Sequence, residues 1–502
     1  MSKPTHSYGQ ILKSSSIIGG AQGINYLIGM VRIKVVAVLL GPSGVGLVGL
    51  YMSATDMVGT FAKLGVNESG VREVAEAHSS TDLDRISRSV KTLRRLSWIT
   101  GIFGWILTAV LSYPLSIWAF GSGEHSWAIA ILGSSLLLAF ISGGQSALLQ
   151  GMRRISDLAR VNVLAAIVST VVSVGLYWWL GQKGIVPVLI ATAAANLGFT
   201  WWFVRKIPVA PVVLTWPETC THAKRFIRLG LAFMWSALFG AVVALGTRSM
   251  IVRELGLEAN GIYQAAWTIS GMFGAFIISA MGTDFYPRLT AVANDERMAT
   301  RLVNEQTEIG VLLALPGVQV SLAFAPVLMH VFFSSKFAAG SELLPWFLVA
   351  VFLRMITYPM GYILTAKAAG GKFALLTSLF HVTNISLCLI AIPVFQLKGV
   401  AIVNALLCVV YLFGMRHMAG PLIGFSWAAP TIELMCISLL LVLANFAIAL
   451  LVPVVPALIM GGLLAMVSSV FSLRGLLARL GSEHRVFQWI RWLPFGGALC
   501  GL

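Results

Sequence analysis

Long apolar segments without a charged residue recur along almost the whole chain, separated by short polar connections. Charge-free stretches include residues 99–123, 126–150, 161–182, 184–204, 261–283, 310–335 and 434–473. A helix needs about 20 apolar residues to cross a bilayer, and these stretches reach or exceed that length. Membrane-spanning strands are about half as long and alternate in polarity. The pattern therefore predicts an all-α polytopic membrane protein.

The positive charge falls on alternate connections of a chain with about fourteen predicted spans. The spans lie at about 14–40, 44–66, 96–120, 125–149, 160–181, 184–204, 226–252, 259–286, 305–333, 342–366, 373–394, 398–415, 433–452 and 454–473. With the N-terminus inside, the odd-numbered connections hold only Lys183, Arg253, Lys336 and Lys398. The positive-inside rule then places both termini in the cytoplasm. The net charge of +16 thus indicates topology and anionic membrane lipids as partners, and it does not indicate nucleic acid.

Composition and motifs narrow the functional classes further. Only 11% of residues are charged, 58% are hydrophobic, and the mean hydropathy is +0.86, which excludes an ordinary soluble protein. The five cysteines form no CxxC or Cys/His set, so we expect neither a disulfide nor a metal site. No Walker A, GxSxG or HExxH motif is present, so we expect no cofactor and no enzymatic activity.

An internal repeat divides the chain into two halves. Leu40, Gly41, Gly46, Met57, Gly59 and Phe61 recur 215 residues later as Leu255, Gly256, Gly261, Met272, Gly274 and Phe276. Six predicted spans separate the copies, so the repeat is parallel, about an axis normal to the membrane. We predict two six-helix lobes at 1–207 and 224–417, a cytoplasmic linker at 208–223, an extra transmembrane hairpin at 433–473 and a cytoplasmic tail at 474–502. The tail is either an interfacial amphipathic segment or a partly ordered one.

Deep charges in the first two spans are the first candidate site residues. Arg32 lies nine residues before Gly41, about 13 Å below the outer surface, where a guanidinium costs at least about 2.5 kcal/mol to insert. Asp56 lies at a similar depth on the returning span, which predicts an Arg32–Asp56 ion pair, either architectural or open to a ligand. Lys34 lies about 200° round the helix from Arg32, so it points outward more readily than into a lumen.

Two further arginines lie deep in later spans. Arg248 has a depth like that of Arg32, and Arg354 lies near the middle of the tenth span. Charged side chains at such depths usually face protein or a water-filled cavity. A lone mid-span histidine, His381, is expected to be a satisfied core imidazole. Because Asp56 is the one clear deep acid, the excess of guanidinium groups favours an anionic ligand such as a diphosphate.

Short motifs in the first predicted span and at the start of the eleventh and twelfth resemble those of a known family. Gly29–Arg32 followed by Leu40–Gly44 resembles the opening of polysaccharide repeat-unit flippases of the O-antigen translocase type. Ala369–Lys372 and Gly399–Asn404, which open the eleventh and twelfth predicted spans, agree with it. These flippases belong to the multidrug/oligosaccharidyl-lipid/polysaccharide exporter superfamily, and the resemblance covers nearly the whole chain.

This resemblance implies two six-helix bundles around a central cavity, which rock between inward-open and outward-open states. It implies that an undecaprenyl-diphosphate-linked oligosaccharide, an O-antigen or related repeat unit, is moved from the inner to the outer leaflet of the bacterial inner membrane. Polysaccharide polymerase machinery is a candidate partner. The family's lumenal cation in the first span maps onto Arg32, and the candidate substrate-binding set is Arg32, Lys34, Asp56, Arg248 and Arg354.

Three other functions stay open. The related lipid II flippases carry an Arg-Asp pair in the first span, whereas Ile33 follows Arg32 here, but they also have fourteen spans. A multidrug cation antiporter of the same superfamily would need a titrating deep acid, for which only Asp56 qualifies. A non-transporting scaffold for polysaccharide assembly would tolerate substitution of every lumenal residue.

Overall fold

The computed structural model describes residues 5–79, 82–207, 212, 214–367 and 369–480. Over this part of the chain the secondary structure is helical, with three short 3-10 helices and no strand. The α-helices are α1 (Thr5–Lys63), α2 (Val66–Ser79), α3 (Leu83–Phe120), α4 (Ser126–Gly151), α5 (Ile155–Leu180), α6 (Ile185–Val204), α7 (Trp216–Ala291), α8 (Glu296–Ala323), α9 (Ala325–Phe332), α10 (Gly340–Ala366), α11 (Gly370–Ala419), α12 (Ala429–Leu451) and α13 (Val454–Leu480).

Many of these helices have the length and apolarity of membrane spans, so the chain is a multi-pass membrane protein. Within the described residues eight helices qualify, or nine if the bent pair α8–α9 is counted as one span. Gly23–Lys63, Ile155–Val204 and Gly370–Leu422 have 41, 50 and 53 residues, against about 20 for one crossing. Each is interrupted near its middle. The number of fourteen spans and the orientation of the termini stay predictions.

Four interruptions of the long helices occupy two pairs of positions that are 215 residues apart. Gly41 (φ 66°) and Gly256 (φ 88°) form the first pair, and Gly181 (φ 55°) and Gln396 (φ 52°) form the second. A positive φ strains residues that carry a Cβ, whereas glycine adopts it freely. The sequence motif had located the repeat at the first pair. The backbone extends the same register to the second pair.

The helices pack as two compact units, Met1–Gly261 (unit 1) and Ile262–Leu502 (unit 2). Unit 1 includes α7 from its start to Gly261. This helix begins at Trp216, inside the predicted linker. Residues 208–211 and 213 of that linker, and residues 481–502 of the predicted tail, lie outside the described part of the chain. The predicted lobe boundaries therefore stay predictions.

In unit 1, the segment of α1 that follows its break at Gly41 packs against α7 through glycines. A Cβ on Gly261 would collide with the carbonyl oxygen of Pro42, and a Cβ on Gly46 would collide with that of Leu257. Asn260 Nδ2 donates a hydrogen bond to the Gly46 carbonyl oxygen at 2.7 Å. Gly46 and Gly261 are equivalent positions of the repeat, and both allow backbones to approach closely.

In unit 2, the segment predicted as one span at 305–333 contains a sharp bend. The chain bends by 82° between α8 and α9, at Phe324. Pro326 follows at the start of α9, where proline lacks an N–H donor and clashes with the preceding turn of a continuous helix. The predicted span at 305–333 therefore corresponds to a bent pair of helices, which counts as a single broken span or as two segments.

The C-terminal hairpin of α12 and α13 packs on α8 through polar side chains. Asn445 Nδ2 donates to the backbone oxygen of Gln319 at 3.0 Å and to its Oε1 at 2.6 Å. Nearer the ends of the helices, Arg479 Nε donates to Glu308 Oε2 at 2.6 Å. Hydrogen bonds between apolar spans typically contribute about 0.6 kcal/mol each, and these fix the hairpin to unit 2 in one register.

Candidate functional site

A charged pair in unit 1 joins α1 to α7. Arg248 is only 8% exposed, and its Nη1 donates to the carbonyl oxygen of Ala244, one turn earlier, at 3.1 Å. Asp56, which is exposed, interacts electrostatically with Arg248. This attraction offsets part of the cost of holding both charges within an apolar span.

The Arg32–Asp56 ion pair predicted from depth is wrong. Within the described residues no carboxylate oxygen lies within 4 Å of Arg32, and its electrostatic neighbour is the buried Tyr177 of α5. Asp56 instead lies on the helix face of Met52 and Thr60, and Thr60 Oγ1 donates to the backbone oxygen of Asp56 at 2.7 Å. Depth along a helix fixes the level of a side chain but not its direction.

Arg32 and Arg248 are also not equivalent positions of the repeat. The 215-residue offset aligns Arg32 with Thr247 and Arg248 with Ile33. A shift of one residue is 100° of rotation about a helix, so the two arginines point in different directions. Arg32 is exposed and Arg248 is buried, while Lys34 is half-buried. The deep cations of unit 1 therefore have different environments.

In unit 2, Arg354 is the first of three polar side chains along one face of α10, a helix that is otherwise mostly buried. In the most apolar 18-residue stretch of α10, 72% of the residues are buried inside the protein, against 22–50% in the other spans of the described chain. Arg354, Tyr358 and Tyr362 lie one turn apart along this helix, with Arg354 exposed and both tyrosines half-buried. The flanking Leu353 and Met355 are buried. The three polar side chains thus form a narrow polar opening on a helix packed mainly against protein.

α11 places polar side chains beside Arg354. The guanidinium interacts electrostatically with His381, Cys408 and Tyr411. The ring of His381 packs edge-on against Phe380, with centroids 5.5 Å apart. Its Nδ1 is buried and has no hydrogen-bond partner among the described residues. A buried nitrogen of this kind calls for a ligand or a water as its partner, so the satisfied core imidazole stays a prediction.

Tyrosines complete this arrangement. The hydroxyls of Tyr358 and Tyr362 are 3.0 Å apart, and the ring centroid of Tyr362 lies 5.4 Å from that of Tyr286 on α7. We call the following set the Arg354 cluster: Arg354, Tyr286, Tyr358, Tyr362, His381 and Tyr411.

The chemistry of the Arg354 cluster fits a ligand that carries both phosphate and hydroxyl groups. No carboxylate oxygen lies within 4 Å of Arg354 in the described part of the chain, so its N–H donors can bind a phosphate in a bidentate manner. Phenol hydroxyls can exchange hydrogen bonds with sugar hydroxyls, while the rings supply apolar surface. Among the described residues, no group of three or more His, Cys, Asp or Glu side chains is placed to hold a metal ion.

Sequence reasoning identified Arg354 but missed the tyrosines around it. Tyr358 and Tyr362 follow Arg354 at four and eight residues, a spacing that shares one helix face, and this signal was available. Tyr286 and Tyr411 come from other helices, so no local spacing connects them to Arg354.

Comparison with known proteins identifies the family. The sequence matches the family described as polysaccharide biosynthesis protein over residues 11–292. The lipid III flippase of Escherichia coli (strain K12) is 23% identical over 355 residues, which cover 67% of this chain and 80% of that protein.

Solved structures show the same fold at low identity. The lipid II flippase MurJ in an inward closed conformation matches with a TM-score of 0.67 and 13% identity, over 91% of this chain and 99% of that one. An inward-facing multidrug resistance MATE family transporter of the MOP superfamily matches with a TM-score of 0.63 and 17% identity, over 79% of this chain and 95% of that one. These relatives are flippases and transporters, not enzymes. The match over more than half of the sequence confirms the resemblance, and this chain belongs to the polysaccharide biosynthesis protein family.

Proposed function

We propose that this protein is a flippase that moves an undecaprenyl-diphosphate-linked oligosaccharide, such as an O-antigen or related repeat unit, from the inner to the outer leaflet of the bacterial inner membrane. The observation that carries the proposal is the Arg354 cluster, in which a deep guanidinium without a carboxylate neighbour stands among tyrosines and an unpaired histidine nitrogen. The family and a curated relative named as a lipid III flippase support the same class of substrate.

In this proposal the two parts of the head group bind to different side chains of the cluster. Arg354 binds the diphosphate, because a guanidinium keeps its charge at any relevant pH and matches phosphate geometry. Tyr358 and Tyr362 bind the sugars through their hydroxyls and ring faces. His381 Nδ1 pairs with a substrate hydroxyl. The apolar polyprenyl chain stays in the lipid throughout, so moving it adds no desolvation cost.

The deep charges of unit 1 are the proposed second set of head-group contacts. Arg32, which is exposed and has no carboxylate within 4 Å among the described residues, binds the diphosphate directly. Arg248 contributes together with Asp56, which partly balances its charge, and Lys34 adds a weaker contact. Favourable binding offsets the cost of bringing a charged head group into the membrane, and alternating access changes the side on which it is released.

The pool of lipid-linked sugars in cells that lack the protein tests the function. We expect undecaprenyl-diphosphate oligosaccharide to accumulate on the cytoplasmic face and the surface polymer to be lost. The sugar composition of the accumulated lipid then distinguishes a polysaccharide repeat unit from lipid II. An unchanged pool would contradict the flippase.

Complementation of those cells tests the residues. We expect Arg354→Ala and Arg32→Ala to lower surface polymer by at least tenfold at equal protein level, because each removes a charge-assisted contact of about 1.5–3 kcal/mol. The matched control is Arg301→Ala, since Arg301 is 74% exposed and pairs with Glu305 at the surface. Normal polymer in both Arg354→Ala and Arg32→Ala would refute the assignment of these arginines.

A multidrug cation antiporter is the alternative from another functional class. It requires a deep acid that releases and takes up protons, and Asp56 is the candidate, although it lies in the field of Arg248. Transport that survives Asp56→Asn but fails in Arg354→Ala supports the flippase. Raised sensitivity to cationic compounds in Asp56→Asn, with normal polymer, supports the antiporter.

A further inference from the structure

A separate cavity in unit 1 lies on the predicted cytoplasmic side, between α3, α4 and α6. Its volume is about 750 Å³, within the range of about 300–1,000 Å³ that is usual for ligand pockets. The walls are apolar, for example Leu138, Ile141 and Leu197, and the rim carries Arg94 and Arg205. None of these residues belongs to the proposed transport site.

The two arginines at the rim are available to an anion. Within the described residues neither Arg94 nor Arg205 has a carboxylate oxygen within 4 Å. The guanidinium of Arg205 lies 5.2 Å from the ring centroid of Trp201 and 5.3 Å from that of Trp202. Such stacking uses the face of the guanidinium and leaves its N–H edge free for a phosphate.

Tryptophan and glutamine side chains add two further features of a lipid site. Trp98 and Trp201 line the cavity and are 51% and 56% exposed, and tryptophan side chains favour the level of lipid head groups. Inside the cavity, the Oε1 atom of Gln145 is buried without a hydrogen-bond partner. A buried acceptor of this kind is normally satisfied by a donor from a ligand or a water.

We propose that this cavity binds an anionic phospholipid of the inner leaflet. The phosphate contacts Arg94 and Arg205, a head-group hydroxyl donates to Gln145 Oε1, and the acyl chains follow the apolar faces of α4 and α6. Basic pockets between spans on the cytoplasmic side are typical sites for anionic head groups. The diphosphate of a polyprenyl lipid shares this chemistry. We assign the phospholipid because Arg94 and Arg205 lie just outside the predicted spans 96–120 and 184–204, where head groups and not acyl chains are expected.

Lipid binding to the purified full-length protein in detergent, measured by native mass spectrometry, tests the site. Phosphatidylglycerol and phosphatidylcholine with identical acyl chains are the probes. We expect wild type to prefer phosphatidylglycerol, and each of Arg94→Gln and Arg205→Gln to weaken that preference by about fivefold. Arg72→Gln, which removes the same charge from an exposed position on α2, leaves the preference unchanged.

A second pair of variants fills the cavity without changing charge. Gly198 lines the cavity and a Cβ there meets open space, so Gly198→Leu blocks it without a clash. Gly175 on α5 is equally open and does not line the cavity, which makes Gly175→Leu the control. Loss of one bound phosphatidylglycerol in Gly198→Leu but not in Gly175→Leu supports the proposal.

Three results would overturn it. The first is an equal affinity of wild type for both phospholipids. The second is an unchanged preference in Gly198→Leu and in the Arg94→Gln/Arg205→Gln double variant. The third is that undecaprenyl diphosphate, and not phosphatidylglycerol, depends on these residues, which would make the cavity part of the substrate path. The flippase function does not depend on any of these outcomes, because the lipid-linked sugar pool is measured separately.

Discussion

At the scale of single residues, the environments of the deep charges depend on directions that sequence depth does not give. Asp56 and Arg32 lie at similar levels, yet Asp56 interacts with Arg248 on a helix more than 190 residues later in the chain. Arg32 lies near Tyr177 instead. An opposite charge nearby lowers the cost of holding each ion within an apolar span, so Asp56 and Arg248 are expected to be coupled energetically.

A double-mutant cycle measures that coupling. We expect Asp56→Asn and Arg248→Gln to destabilise the protein separately, and the double variant to lose about 0.5–1 kcal/mol less than their sum. The range is low because the side chain of Asp56 is not enclosed by protein. Thermal unfolding in detergent provides the measurement. The control cycle joins Asp56→Asn to Arg32→Gln, whose effects are expected to add. Coupling in the control cycle alone would contradict the assigned pair.

At the scale of helices, the repeat is expressed in backbone breaks as much as in side chains. One pair of equivalent breaks lies at Gly41 and Gly256, where both residues are glycine. The second pair lies at Gly181 and Gln396. Gly181 and Gln396 share nearly the same conformation, with ψ of −133° and −139°. The second copy therefore holds a strained residue where the first has glycine.

Exchanging the residue types at this break tests the strain. We expect Gln396→Gly to raise stability by about 1 kcal/mol, because glycine relieves the positive φ. The reverse change, Gly181→Gln, is expected to lower it by a similar amount, since a Cβ at Gly181 meets no other atom and only backbone strain changes. Unfolding of both variants in detergent gives the measurement. Destabilisation by Gln396→Gly would show that the side chain of Gln396 makes contacts worth more than the strain.

The glycine contact between α1 and α7 gives a second prediction at this scale. We expect Gly261→Ala to cost about 1–3 kcal/mol, because the new Cβ collides with the backbone oxygen of Pro42 and the helices must separate. Gly271→Ala, at a position that faces open space, is the control and is expected to be neutral or slightly stabilising. Equal melting temperatures of the two variants would argue against the close packing at Gly261.

At the scale of the whole molecule, charge on the connections and apolar length of the spans determine how the chain lies in the membrane. Each unit has its own buried core, for example around Leu132 and Ile185 in unit 1 and around Met360 and Phe425 in unit 2. Lys and Arg residues are concentrated on every second connection, and this distribution predicts which ends of those spans face the cytoplasm.

Cysteine labelling in intact cells tests this topology. In a cysteine-free background, Lys183→Cys lies in an odd-numbered connection and Arg72→Cys in an even-numbered one, and both positions are exposed. We expect a membrane-impermeant maleimide to label Lys183→Cys in intact cells, and Arg72→Cys only after permeabilisation. The reverse result would invert the predicted orientation.

The sequence by itself determined the class of the protein, the excess of deep cations, the repeat and the family, because these depend on segment length, charge and local motif. Spacing along α10 also puts Tyr358 and Tyr362 on the face of Arg354, a signal in the sequence that the prediction of the site did not use. The tertiary structure decided which deep charges meet, that Arg32 does not pair with Asp56, that Phe324 interrupts a span, and that residues from three helices form the Arg354 cluster. Apolar periodicity is weak in helices that lipid and protein surround on all sides, so rotation and partners are set by packing between helices distant in sequence.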